Sequence, residues 1–217
     1  MERPEGTLDA TCVQVFGKIS AAISHDLKNV LAIVNESAGL LDDLALRAAK
    51  GIEIPPERLS IATARILKQV QRGDTVLKNL NRYAHSTDAP LQQVNVAEMV
   101  GLMVALAGRQ AAMKEMAFTI IPAEVQVNTC AIYLESLVYL VLRQVIDTLP
   151  RREAVEVVIA EEAGMAMICL RNDSGLAMLP AEGYPPPQEE ELLRWLGATL
   201  TVTAGSVELR VPERSGR

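Results

Sequence analysis

Residues 19–34 read Ile-Ser-Ala-Ala-Ile-Ser-His-Asp-Leu-Lys-Asn-Val-Leu-Ala-Ile-Val. Ile23 and Val30 stand seven residues apart, and the same spacing or its double reaches Phe16 and Leu44. Ile19, Ile33 and Leu40 fall three residues after a seam position, and Leu27, Val34 and Leu41 fall four after. That is the broad apolar stripe of a bundle helix, with Ser20, Asp26 and Ser37 as the exceptions on it. The spacing predicts a helix over about 10–46. Gly51 and the pair Pro55-Pro56 break it, and Pro56 suits the first turn of a second helix over about 57–85. There Leu59, Ile66 and Leu80 share one heptad position, with Gly73 between them, and Thr63, Val70, Leu77 and Ala84 share another. Two long amphipathic helices with a short connection make an antiparallel hairpin. One hairpin cannot cover two apolar stripes, so a symmetric pair forming a four-helix bundle, and hence a homodimer, is expected.

Working outward, the polar stretch Ser86–Gln92 marks a boundary between a hairpin domain, 1–88, and a second domain, 93–217. In the second domain short β-like runs (118–121, 125–127, 155–160, 165–170, 199–203, 207–211) alternate with helical stretches near 97–114, 131–149 and 188–196. The tight turn Glu161-Glu162-Ala163-Gly164 joins two of the runs as a hairpin. The fold class is therefore α+β: a helical hairpin, then an α/β sandwich with a mixed sheet and helices on one face.

Composition narrows the chemistry. The 217 residues carry 21 Lys+Arg against 27 Asp+Glu, a net charge of -6, and only 3% aromatic residues. An acidic chain poor in aromatics is badly equipped to hold nucleic acid by charge or stacking. No run of about 18 uninterrupted apolar residues and no leader pattern at the N-terminus are found, so no membrane partner is expected. Cys12, Cys130 and Cys169 are too scattered for a disulfide framework, which suggests a reducing, cytoplasmic setting. With two histidines and no Cys/His cluster, no metal site is expected. Charge also divides along the chain: residues 1–88 hold 11 basic and 11 acidic side chains, while 89–217 hold 10 and 16.

His25 is where chemistry concentrates. With Ile23 and Val30 at heptad position a, it falls at c, about 200° around the helix and away from the apolar stripe. A solvent-facing neutral imidazole is a nucleophile near neutral pH. Asp26 can hold the ring proton. Asn29, one turn on, can hydrogen-bond a phosphoryl oxygen or a water, and Lys28 adds positive charge beside an anion. Ser24 precedes the ring with no clear role. Most surface histidines do nothing; the order Ser24-His25-Asp26-Leu27-Lys28-Asn29, in the middle of a hairpin, sets this one apart. His85 ends the second helix, where a cation favours the helix C-terminus. The methionines Met99, Met103, Met113 and Met116 read as core filler. Trp195 reads as an anchor of the last helix on the sheet, and Arg151-Arg152 as a solvated turn.

The stretch Ser24–Asn29 resembles the H-box of two-component sensor histidine kinases, and the order of elements over about 15–212 is similar to their phosphoacceptor hairpin followed by an ATPase-like sandwich. The resemblance implies His25 as phosphoacceptor, Asp26 as general acid/base and Asn29 as the residue used in dephosphorylation. The second domain departs from the family's pattern. Leu140 and Gln144 stand where its helical N-box has asparagines, the second of which binds magnesium. The nearest match to its adenine-binding motif is Asp173-Ser174-Gly175-Leu176-Ala177, with a glycine replaced; a shifted alignment puts Asn172 in the Asp position instead. The glycine-rich lid is missing, and Glu189, Glu190 and Glu191 stand in its place, where they would repel a nucleotide or simply favour a helix start. The physical needs of a bound triphosphate point the same way, since it requires freed backbone amides, a magnesium ligand and positive charge.

The expectation is therefore a histidine-containing phosphotransfer protein similar to the dimeric phosphotransferases built on a degenerate kinase core. It would exchange a phosphoryl group with response-regulator receivers, with a histidine kinase as a further candidate partner. It would bind no cofactor itself, ATP binding being disfavoured and magnesium coming from the receiver. The alternatives are a kinase that autophosphorylates His25 from ATP, and a non-catalytic dimeric scaffold or inhibitor.

Overall fold

A computed structural model describes residues 5–172 and 184–214. Helix α1 spans Glu5–Ala49 and α2 spans Pro56–Ala84. Gly51, at φ 78°, lets the chain leave α1: its N–H donates to the carbonyl of Ala48 at 2.9 Å, and that of Ile52 to Arg47 at 3.1 Å. This pair of bonds closes the helix end in a way that favours glycine. Pro56 opens α2, as its fixed φ suits. The chain forms two compact units, Ser20–Arg82 and Met1–Ile19 with Tyr83–Arg217, so the units part inside α1 and α2.

In the unit Ser20–Arg82, the α2 residues Ala62, Ile66, Gly73 and Leu80 turn inward, Ala62 and Gly73 being buried and the other two half-buried. On α1, Ile23, Val30, Ser37 and Leu44 are buried along the expected seam. Ser37 is accommodated because its hydroxyl donates to the carbonyl of Ile33 at 2.8 Å. At Gly73 a Cβ would sit 3.4 Å from Val30, so the missing side chain lets the helices close. A second apolar set stays in solvent: Leu31, Leu40, Leu59, Leu67, Val70 and Leu77 are all exposed.

In the other unit, a 3-10 turn (His85–Thr87) follows α2. Then come β1 (Gln92–Asn95), α3 (Val96–Met113), β2 (Ala117–Ile121), β3 (Gln126–Thr129) and α4 (Ala131–Thr148). The chain continues with β4 (Ala154–Glu162), β5 (Met165–Arg171), α5 (Pro187–Leu196), β6 (Thr199–Val202) and β7 (Ser206–Pro212). The main sheet has the order β2-β4-β5-β7-β6, with β2 parallel to β4 and the other pairs antiparallel. Its register aligns Val157 with Leu170, and Leu170 with Val207. Strand alternation then puts Val155, Val157, Ile159, Ile168, Leu170, Val207 and Leu209 on one face, all buried. Val100 of α3 and Val138, Val141 and Leu142 of α4 close over that face.

One strand was not expected. β1 pairs antiparallel with β3, matching Val94 to Val127 in a separate two-stranded sheet. In Gln-Gln-Val-Asn only Val94 is buried, too little to show alternation. Helix α3 starts on Asn95, whose side chain accepts from the N–H of Glu98 at 3.0 Å. By length and composition alone α3 is apolar enough to cross a membrane, although Glu98, Arg109 and Gln110 interrupt its apolar run; eight of its residues are buried here. Met99, Met103 and Met116 are core residues as expected, but Met113 is 66% exposed, so it fills no core.

Candidate functional site

His25 lies midway along α1 with its side chain exposed, on the side of the helix that heptad phase predicts. The seam residues Ile23 and Val30 on either side are buried, so the helix is held from its other face. Asn29 stands one turn on, and its amide Nδ2 lies 3.1 Å from His25 Nδ1. The contact serves either tautomer. With Nδ2 donating to Nδ1, the ring proton sits on Nε2. With the amide turned over, Oδ1 accepts from Nδ1–H and the lone pair of Nε2 is free toward solvent. The second state is a nucleophile with its back nitrogen held. Ser24 and Lys28 are exposed beside the ring, and Asp26 is half-buried toward the apolar stripe. Asp26, the expected general acid/base, follows the ring directly in sequence, and Asn29 meets the ring's Nδ1 from one turn on.

Helix α4 carries the other candidates. Twelve of its 18 residues are buried, so it is enclosed on more than one side. Tyr133 donates to Asp9 of α1 at 3.0 Å, and the Ser136 hydroxyl donates to Cys12 Sγ at 3.5 Å. Leu140 is 7% exposed. Gln144 donates from its side chain to the Thr148 hydroxyl at 3.5 Å. These two positions are spent on packing and on a bond within the helix. Asn172, at the end of β5, is buried, and its Nδ2 donates to Glu153 Oε2 at 3.0 Å and to the Ala154 carbonyl at 2.7 Å. Asp173 and Gly175 lie outside the described residues.

Three expectations change on contact with the geometry. Glu189 does not present its charge to solvent. It is 3% exposed, and burial pushes its carboxyl up to about 7, with the Tyr184 hydroxyl pulling weakly the other way. Glu190 is exposed and Glu191 half-buried. The signal was in the spacing: Glu189 precedes Leu192, Leu193 and Leu196 by three, four and seven residues, which puts it on their face of α5. Trp195 meets α4, its ring edge-on to Tyr133 at 4.7 Å, while Leu192 and Leu196 are the fully buried anchors of α5. Arg151 and Arg152 are not merely solvated, because both grip the carboxylate of Glu115, at 2.6 and 2.9 Å. His85 behaves as a surface residue, with Nδ1 2.8 Å from Asp88. Among the described residues no cluster of three or more metal-binding side chains occurs.

No family model and no curated protein matches the sequence. Solved structures do resemble it. The Acinetobacter baumannii histidine kinase AdeS is 8% identical, with a TM-score of 0.51 over 87% of this chain and 98% of that one. The mycobacterial sensor histidine kinase MprB is 17% identical, with a TM-score of 0.48 over 57% of this chain and 98% of that one. Histidine kinase ThkA, solved in complex with the response regulator protein TrrA, is 12% identical, with a TM-score of 0.47 over 93% of this chain and 63% of that one. The likeness to AdeS covers most of both chains and establishes the architecture. The chain has the fold of a two-component histidine kinase core.

Proposed function

We propose that this chain is a homodimeric histidine phosphotransferase of a two-component phosphorelay. A receiver domain carrying an aspartyl phosphate docks beside His25. The lone pair of Nε2 forms a bond to phosphorus as the bond to the aspartyl oxygen breaks, and the carboxylate leaves with that electron pair. Asn29 holds Nδ1–H through the step. The metal that neutralises the phosphoryl oxygens belongs to the receiver's acidic site. The reverse reaction delivers the group to another receiver.

The observation that carries this reading is the exposed ring of His25 with its Nδ1 backed by Asn29, inside an H-box-like stretch. Homodimerisation is supported by the large apolar side chains that one hairpin leaves in solvent, Val70 and Leu77 among them. The absence of nucleotide use is supported by Leu140 and Gln144, which replace ligands with packing. The direct experiment is transfer of labelled phosphate from a phosphorylated receiver to the wild-type chain and to His25→Ala. Wild type acquires an acid-labile label and the variant acquires none. Label on the variant overturns the assignment of His25.

A further inference from the structure

The beginning of α1, the segment after the 3-10 turn, the start of α4 and the ring of Trp195 surround a half-open groove of about 460 Å³, and all of them belong to one compact unit. That volume is in the range of small-molecule sites, about 300–1,000 Å³. The proposed phosphotransfer chemistry uses none of its residues. Its walls are mainly apolar: Val13, Pro90 and Ile132 lie beside the edge-to-face pair Tyr133 and Trp195. The Tyr133–Trp195 pair and the Tyr133–Asp9 hydrogen bond at 3.0 Å hold the aromatic wall and the carboxylate in fixed relation.

The charge of the lining is one-sided. Asp9 is its acid, and among the described lining residues there is no lysine, arginine or histidine. The start of α4 contributes the positive end of a helix dipole, roughly half an elementary charge. A full carboxylate outweighs it, so the groove favours a cation over an anion. The faces of Trp195 and Tyr133 also suit an organic cation or an aromatic ring.

We infer that this groove is a binding site for small organic monocations, a protonated amine on an aromatic or branched apolar body. The body lies against Trp195, Val13 and Ile132, and the ammonium group meets Asp9. Such a ligand touches α1, the 87–90 segment, α4 and α5 at once, so its occupancy ties these elements together.

Trp195 is the one tryptophan of the chain, so its emission reports occupancy without a label. The intact protein is titrated with 2-phenylethylamine, 2-phenylethanol and 3-phenylpropionate at low salt. The amine is expected to shift Trp195 emission saturably and to bind about fivefold tighter than the neutral alcohol, as one partly exposed ion pair allows. The propionate is expected to bind weakest. Asp9→Asn should bring the amine down to the level of the alcohol. Tyr133→Phe, which keeps the carboxylate and removes its hydrogen-bond donor, should retain the preference for the amine. Ala89→Phe, a substitution at the groove wall, should suppress the response to all three. The inference is overturned if the amine gives no saturable shift, if alcohol or propionate binds as tightly, if the preference survives Asp9→Asn or is lost in Tyr133→Phe, or if Ala89→Phe responds like wild type. None of these readings depends on phosphoryl transfer.

Discussion

Helix α1 from Ser20 onward and helix α4 treat their side chains in opposite ways. The first leaves its reactive ring in solvent and exposes Leu31, Leu40 and Leu46 as well. The second buries twelve of 18 residues and turns even Glu135 and Ser136 away from water. A helix with an open reactive group and uncovered apolar side chains is made to meet other molecules. A helix packed on several sides is made to hold a domain together, and the proposed lack of nucleotide use fits that role. In the proposed reading, the hairpin carries the chemistry and the sandwich the support.

The contrast can be broken in several ways, and the largest effect belongs to the hairpin. If the exposed apolar side chains are covered by a second copy, Val70→Glu with Leu77→Glu puts two charges into that interface. Dimer affinity should fall by roughly a thousandfold, on the order of 4 kcal/mol. Sedimentation equilibrium reads the result; an unchanged mass would show that these positions face solvent in the assembly.

Next comes the support role of α4. Leu140→Asn restores the residue type that the kinase resemblance expects there. At 7% exposure it replaces a packed aliphatic group with an amide, so the sandwich should lose about 3 kcal/mol. Urea unfolding measures it, and a neutral outcome would mean the position is open after all.

A smaller effect concerns Glu189. Its carboxyl ionises near the ordinary 4.5 in the unfolded chain and near 7 in the fold. The unfolded state therefore sheds its proton first as pH rises. The associated stability is fully present below 4.5, is lost as pH climbs to about 7, and changes no further above that. The loss is on the order of 2 kcal/mol once the buried site is allowed to relax. Unfolding at pH 5 and pH 8 should show this slope in wild type and a flatter one in Glu189→Gln. Equal slopes would place the titrating group elsewhere.

Much of this was legible from the residues. The heptad spacing of Ile23, Val30 and Leu44 marked the buried seam and put His25 on the open side, because a long regular helix converts sequence distance directly into angle. The apolar runs of β4, β5 and β7 marked the inner face of the sheet for the same reason, with a period of two. Strand β1 escaped because its one buried residue, Val94, earns its place from Val127, more than thirty residues away. The enclosure of α4 escaped too: periodicity says that a helix is apolar all round, but not that Asp9 and Cys12 lie across from Tyr133 and Ser136. Glu189 is masked by its neighbours rather than by its spacing. Three adjacent glutamates look like a solvated patch until the helical spacing of the first is compared with the leucines after it.

The central claim is that His25 receives phosphate from a partner and not from ATP. The most direct measurement incubates the purified chain with labelled ATP and magnesium, alone and then with a phosphorylated receiver as the sole source of label. The account predicts no label from ATP and rapid label on His25 from the receiver. Labelling of His25 by ATP without any partner would contradict it and make the chain a kinase.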